Sequence, residues 1–330
     1  MARSVEPPAA GARRLVVLGA IALCAATPIA AFDLQGHRGA RGLAPENTLA
    51  AFDTALEAGV STIETDLAVT RDGVVVISHD PRLDPALVRG PDGAWLAARG
   101  PAIRSLSLAE LKVYDIGRLD PASAYARQWP QQRARDGERF PTLSELFDLV
   151  RTRKARVRFN LETKITPGSA DEVVDPRTFV ELAVAEIRKA GVADRTTLQS
   201  FDWRTLLIAK RIAPDIRTSC LTARFPNFDT VMVDATGRSP WQGGLDPTVD
   251  GPTLPRLAKA AGCAIWSPNA ASVTSALVGE AHALDLAVLP WTVNDPAEAA
   301  RLIELGVDGL ITDYPDRVRR QLAERGLAID

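Results

Sequence analysis

Apolar and polar positions along the chain fall into a repeating order: a helical segment ends in glycine and a short β-rich run follows. The order occurs at Glu57-Ala58-Gly59-Val60, Lys189-Ala190-Gly191-Val192, Ala261-Gly262-Cys263 and Glu304-Leu305-Gly306-Val307. Glycine just past a helix takes the left-handed conformation without Cβ strain, so each site reads as a helix end feeding a strand, the αβ half of a βα array. Strands are predicted at 34–38, 62–68, 74–79, 157–163, 196–201, 217–222, 263–267, 287–293 and 308–312. Only Thr70-Arg71-Asp72-Gly73 separates the second from the third. Such a link closes a hairpin, whereas a parallel crossover needs about a dozen residues. The segment 74–79 is therefore expected to fold back antiparallel on 62–68. Eight parallel strands remain, the number that closes a TIM-like (β/α)8 barrel.

The rhythm breaks from about 81 to 140, where Pro, Gly, Asp and Arg are frequent; this stretch reads as a small inserted cap region after the second-strand hairpin. Regular pattern resumes at Pro141-Thr142-Leu143-Ser144-Glu145, with Thr142 the expected N-cap and Glu145 its capping-box partner. Ahead of the barrel, Arg3, Arg13 and Arg14 precede an uncharged run from Leu15 to Ala31. That arrangement has the basic n-region and apolar h-region of an export signal, with cleavage expected between 26 and 32. The expected division is thus 1–31 as signal peptide or N-terminal anchor and 32–330 as the barrel domain. Exported, the protein is expected in the periplasm, either free or anchored facing it.

At 330 residues, with 46% hydrophobic and 24% charged, the chain can bury a large core and is not globally disordered. Lys and Arg total 39 against 41 Asp and Glu, so no basic excess points to nucleic acid. Cysteines at 24, 220 and 263 fit neither a disulfide scaffold nor a zinc site, and spacing leaves open whether Cys220 and Cys263 pair.

Period two places Glu64 with Asp66 on one strand face, and Asn160, Glu162 and Lys164 on another. In a small barrel that face is the interior, where charge is costly unless paired or metal-bound. Three hard oxygen donors without a Cys or His cluster suit Ca²⁺ or Mg²⁺. The competing reading is that these acids only pair with Lys164 and Arg38. Two of the three histidines stand at strand ends, in Gly36-His37-Arg38-Gly39 and Ser78-His79-Asp80-Pro81. A pair of imidazoles can donate and accept protons in one displacement. Arg38 and Lys164 would add phosphate-directed charge. His282, inside a helical run, is expected to be a surface or packing residue.

Taken in order, these segments resemble the glycerophosphodiester phosphodiesterase family, among the barrel phosphodiesterases related to phosphatidylinositol-specific phospholipase C. The resemblance runs through His37-Arg38-Gly39, Pro45-Glu46-Asn47-Thr48, Glu64-Thr65-Asp66, Thr70-Arg71-Asp72-Gly73, His79-Asp80, Pro141-Thr142-Leu143, Leu161-Glu162-Thr163-Lys164, Trp291-Thr292-Val293-Asn294 and Thr312-Asp313, spanning about 35 to 316. It implies one divalent cation, Ca²⁺ or Mg²⁺, held by Glu64, Asp66 and Glu162, with His37 and His79 as the acid/base pair. Arg38 and Lys164 would hold phosphoryl oxygens, Trp291 would wall the pocket, and Glu46 and Asp80 would support the first layer. The implied reaction is hydrolysis of a small glycerophosphodiester to sn-glycerol 3-phosphate and an alcohol. Relatives favour an acid role for His37 and a base role for His79, an assignment the sequence leaves open. Two alternatives stand beside it: a phospholipase C- or D-like enzyme on intact lipid, for which an apolar rim would be sought in 81–140, and a non-catalytic periplasmic phosphoester-binding protein.

Overall fold

The computed structural model describes residues 1–6 and 31–329. The apolar run expected to be an export signal or anchor falls almost entirely outside the described residues. Among those described, no helix is long and apolar enough to cross a membrane.

From residue 31 onward the chain runs β1 (Asp33–Gly36), α1 (Leu49–Ala58), β2 (Thr62–Val69), β3 (Val75–Ile77), α2 (Leu108–Leu111), α3 (Leu143–Thr152), β4 (Arg158–Thr163), α4 (Pro176–Ala190), β5 (Thr196–Ser200), α5 (Trp203–Ile212) and β6 (Arg217–Thr222). A short hairpin follows, β7 (Arg224–Phe225) with β8 (Phe228–Asp229). The chain then continues through α6 (Leu254–Ala260), β9 (Ile265–Pro268), α7 (Ser275–Ala283), β10 (Ala287–Val288), α8 (Pro296–Glu304), β11 (Gly309–Thr312) and α9 (Pro315–Glu324). The main sheet has the order β10-β9-β6-β5-β4-β2-β1-β11, with β3 antiparallel on β2. Its two ends meet through Asp308 N to Val288 O at 3.1 Å, Ile311 N to Pro290 O at 3.0 Å and Val293 N to Ile311 O at 2.9 Å. Among the described residues, eight parallel strands thus form the TIM-like barrel.

Local rules explain most element ends. Gly59 and Gly191 close α1 and α4 in the left-handed region, with φ of 74° and 68°. Thr142 and Glu145 form the capping box of α3. The expected strand 287–293 shrinks to two regular residues. Pro290 has no N–H for the ladder, and pairing continues only as an isolated bridge between Asn269 and Trp291.

Along β2, Ile63 and Leu67 point into the layer between sheet and helices, leaving Glu64 and Asp66 inside the barrel. The interior acids rest on a polar ladder. Asn160 Nδ2 donates to Gln35 Oε1 at 2.8 Å and to Gln199 Oε1 at 2.9 Å, and Gln199 Nε2 donates to Glu64 Oε1 at 2.7 Å. Every link exchanges a hydration bond for an internal one, which keeps the buried layer tolerable.

The stretch 81–140 contains α2 and short 3₁₀ turns, and packs Leu83, Val88, Ile103, Leu111, Ile116 and Phe140 against Ala68 of β2 and Val76 of β3. This second apolar cluster sits on the face of the β2–β3 ribbon opposite Leu67 and Ile77. A second irregular stretch, 223–253, carries the β7–β8 hairpin and was not set apart by the sequence pattern. Cys220 of β6 and Cys263, two residues before β9, are joined over a separation of 43 residues, and both are buried. On the loop-entropy argument a Cys220→Ala/Cys263→Ala variant should lose about 3–4 kcal/mol of unfolding free energy, read as a shifted urea midpoint.

Candidate active site

β1 ends at Gly36 because Arg38 and Gly39 turn through the left-handed region, with φ of 50° and 81°. A Cβ on Gly36 would meet Gly39 O at 2.1 Å, so this tight turn excludes any larger residue there. The turn puts His37 and Arg38 at the mouth of the barrel. The Arg38 N–H donates to Glu64 Oε2 at 2.9 Å, tying the turn to β2.

In the β2–β4 register, Glu64 lies beside Asn160 and Asp66 beside Glu162. Carboxylate oxygens of Glu64, Asp66 and Glu162 all lie within 4.8 Å of one another, and all three side chains are buried. Burial and the neighbouring Asp66 push the Glu64 carboxyl well above its ordinary range. Burial likewise raises Glu162 to about 7, against the pull of Lys164. Asp66 goes the other way: Arg38, His79 and Lys164 outweigh its burial and hold it far below the usual carboxylate range.

The pairing of acids with Arg38 and Lys164 is present too. Lys164 Nζ lies 2.9 Å from Glu162 Oε1 and 3.7 Å from Asp66 Oδ1. Arg38 Nη1 meets Glu46 Oε1 at 2.5 Å, and its Nε lies 3.3 Å from Asp66 Oδ2. These cations do not satisfy the cluster. Arg38 Nε is buried without a hydrogen bond, and two of the three acids stay raised. The all-oxygen donor set, the crowding of three buried carboxyls and the orphaned donor fit a hard divalent cation together with a phosphoryl oxygen.

His37 and His79 line the same cavity as these acids, a space of about 190 Å³ that also touches Arg38, Lys164, Gln199 and Trp291. His37 Nδ1 is 2.7 Å from Asp313 Oδ1, while Nε2 lies 4.0 Å from Glu64 Oε2. Burial, aided by Arg41 and Arg38, lowers the His37 imidazole to about 4 although Asp313 opposes the shift. Burial also lowers His79, whose Nδ1 is 3.3 Å from Asp80 Oδ1. Burial thus disfavours the charged form of both rings.

Every residue singled out in the sequence reaches this site or borders it. His282 stands apart, with Nε2 2.9 Å from Asp308 on the surface. Several partners were not singled out. Asp313 accepts from Arg41 Nε at 2.8 Å, Arg41 Nη2 at 3.0 Å and Asn294 Nδ2 at 2.6 Å. Although burial favours its neutral form, His37 and Arg41 hold its carboxyl far below the ordinary range. Asn47 Nδ2 donates to Asp66 Oδ2 at 2.9 Å. Tyr125 hydrogen-bonds Glu46 and accepts from Arg41 Nη1 at 3.2 Å, and Trp129 lies under the Arg41 guanidinium at 4.3 Å. Asn47 and Asp313 stood in the quoted motifs Pro45-Glu46-Asn47-Thr48 and Thr312-Asp313. Arg41, Gln199 and Tyr125 carried no such signal.

The family model described as the glycerophosphoryl diester phosphodiesterase family matches residues 37–317. The chain belongs to that family. A Silicibacter pomeroyi crystal structure whose name assigns it to glycerophosphoryl diester phosphodiesterases superposes with a TM-score of 0.80 at 36% identity, covering 91% of this chain and 95% of that one. An Oleispira antarctica phosphodiesterase, solved with the product sn-glycerol-3-phosphate, has a TM-score of 0.65 at 25% identity and covers 89% of this chain and 97% of its own. The glycerophosphodiester phosphodiesterase of Caldanaerobacter subterraneus subsp. tengcongensis is 27% identical over 282 residues, 85% of this chain and 93% of its own.

The Asp313–His37 contact fixes the ring. An imidazole whose Nδ1–H is held by a carboxylate presents its Nε2 lone pair in one orientation. Asp313→Asn should lower kcat by about 10–100-fold with little change in KM. Steady-state kinetics beside a thermal melt checks it, and a variant that loses stability but not kcat would reduce Asp313 to a structural role.

Proposed function

We propose that the protein is a metal-dependent phosphodiesterase that hydrolyses small glycerophosphodiesters to sn-glycerol 3-phosphate and a free alcohol. The observation that carries this is the convergence of two imidazoles, three carboxylates and two cations on one cavity. Binding alone has no use for two proton carriers, which favours an enzyme over a phosphoester-binding protein.

Glu64, Asp66 and Glu162 would hold one divalent cation, Ca²⁺ or Mg²⁺, which when bound neutralises phosphoryl charge and acidifies an oxygen nucleophile. Arg38 and Lys164 border the same space and orient phosphoryl oxygens, Arg38 through its guanidinium, whose Nε makes no hydrogen bond, and Lys164 through its ammonium. One imidazole takes the proton of the attacking oxygen, from water or from the substrate's own neighbouring hydroxyl. The other enters the step as the imidazolium, having taken its proton from solvent, and gives that proton to the departing alkoxide. His37 moves its proton at Nε2, because Asp313 occupies Nδ1. Glu46 and Asp80 hold Arg38 and His79 in place.

The buried Cys220–Cys263 bond supports an oxidising compartment. With the basic and apolar character of residues 3–31, it supports export to the periplasm, free or anchored through that segment. Product analysis on deacylated phospholipids, with Ca²⁺ or Mg²⁺ supplied or chelated, tests the whole reading. Release of sn-glycerol 3-phosphate only with metal is expected, and saturable binding without product would overturn it.

A further inference from the structure

Beside the phosphoryl cavity lies a second opening of about 400 Å³ that shares His79, Glu162, Lys164, Phe201 and Trp291 with it. Its size falls in the range of small-molecule sites, roughly 300–1,000 Å³.

The wall is built of rings. Phe201 packs edge-on to Trp291 at 5.2 Å and to Phe228 at 5.0 Å, Phe228 to Trp241 at 5.4 Å, and Phe225 to Trp291 at 5.9 Å. Phe225, Phe228 and Trp241 all come from the 223–253 stretch, so that insertion forms the far side of the opening. Phe225 is 43% exposed although it is large and apolar, which is the state of a ring waiting for a ligand and not of core.

Two carboxylates on the wall lie outside the metal cluster, Asp80 and Glu172, while the ammonium of Lys164 is already engaged by Glu162 and Asp66. Glu172 is half-exposed, with Arg82 Nη1 at 3.5 Å as its partner. Aromatic faces combined with carboxylates attract a cation that has no N–H to satisfy. A polar alcohol such as glycerol finds few hydrogen-bond partners on the rings, and a primary ammonium keeps a hydration shell that they cannot replace. An acidic alcohol would face Glu172.

We propose that this cleft binds the alcohol half of the substrate and selects an alcohol bearing a quaternary ammonium, the choline class. The inference rests on the phosphodiesterase reading above and adds its specificity. The rings provide the cation's seat, and the 223–253 insertion decides which diester is preferred.

The test compares kcat/KM for the glycerophosphate esters of choline, ethanolamine, glycerol and 3,3-dimethylbutanol, the last being the uncharged isostere of choline. The choline ester should exceed both the isostere and the glycerol ester by roughly tenfold. In Phe225→Ala and in Trp241→Leu that preference should fall several-fold toward unity. Independently of turnover, tetramethylammonium should quench tryptophan fluorescence at about tenfold lower concentration than tert-butanol. Equal kcat/KM for choline ester and isostere, or an unchanged preference in both variants, overturns the inference while leaving hydrolysis established. A lysophosphatidylcholine cleaved better than glycerophosphocholine overturns it in favour of an acyl chain in the cleft. If no diester is hydrolysed, the phosphodiesterase reading falls, and the fluorescence titration alone decides whether the cleft holds a quaternary cation. Should Trp241→Leu fail to fold, Phe225→Ala and the isostere comparison carry the same decision.

Discussion

His37→Ala and His79→Ala should each lower kcat on glycerophosphocholine by roughly 10²–10⁴-fold with saturating divalent metal, the range expected for loss of a positioned acid or base. Both rings line the cavity that holds the carboxylates, so one can take the nucleophile's proton while the other gives one to the leaving group. KM should change far less than kcat, because neither imidazole is placed as an anchor for the glycerophosphate charge. The double variant should cost much less than the product of the single losses, since two groups serving one proton relay act as a unit. Unfolding midpoints within a few degrees of the parent would show that the fold is intact. Near-parental kcat in both single variants would end the two-histidine mechanism.

Stripping divalent cations should remove turnover by about 10²–10³-fold or more, since several kcal/mol of charge stabilisation is expected from such an ion and each 1.4 kcal/mol is tenfold in rate. Ca²⁺ or Mg²⁺ should restore the parent, while Asp66→Asn or Glu162→Gln should remain impaired at the concentration that saturates it. A second readout separates binding from catalysis. An ion that binds only the folded chain stabilises it by about 2.7 kcal/mol at a hundred times its Kd, so metal should raise the parent's unfolding midpoint and not the variants'. The carboxylate variants could even be more stable than the metal-free parent, because three buried acids within 4.8 Å repel one another. A parent whose activity and melting are both indifferent to chelator would refute metal dependence.

The apolar surface that would discriminate lipid from headgroup was sought in 81–140, and the structure puts it elsewhere. That stretch closes over its own small cluster, with Leu83, Ile103 and Leu111 fully covered. It sends Tyr125 and Trp129 to the His37 side. Exposed apolar side chains collect instead in 223–253, at Phe225, Met232, Val233 and Val249. Composition argued against an apolar rim in 81–140 but could not locate one elsewhere, for a physical reason. Prolines and charges in 81–140 mark turns and surface, and say nothing of which loop turns its rings toward the cavity.

Glu64, Asp66 and Glu162 were legible because strand geometry is local: side chains two apart share a face whatever the rest of the chain does. The hairpin 62–79 was legible for the same reason, since a four-residue link permits no other connection. His37 and His79 stood out by scarcity, in a chain with 3 histidines. Asp313 was marked only by the Thr312-Asp313 motif, and its contact with His37 at 2.7 Å was not legible, because 276 residues separate them and only barrel closure makes β1 and β11 neighbours.

From its residues alone, this chain determined an eightfold βα succession, a carboxylate-bearing interior and two histidines at strand ends, all consequences of backbone period and turn sterics acting within a few residues. The tertiary structure alone decided that Asp313 orients His37, that Cys220 bonds Cys263, and that the rings of 223–253 complete the cleft. Those outcomes depend on which loops meet at the rim once the cylinder closes, and long-range packing, not local period, determines that.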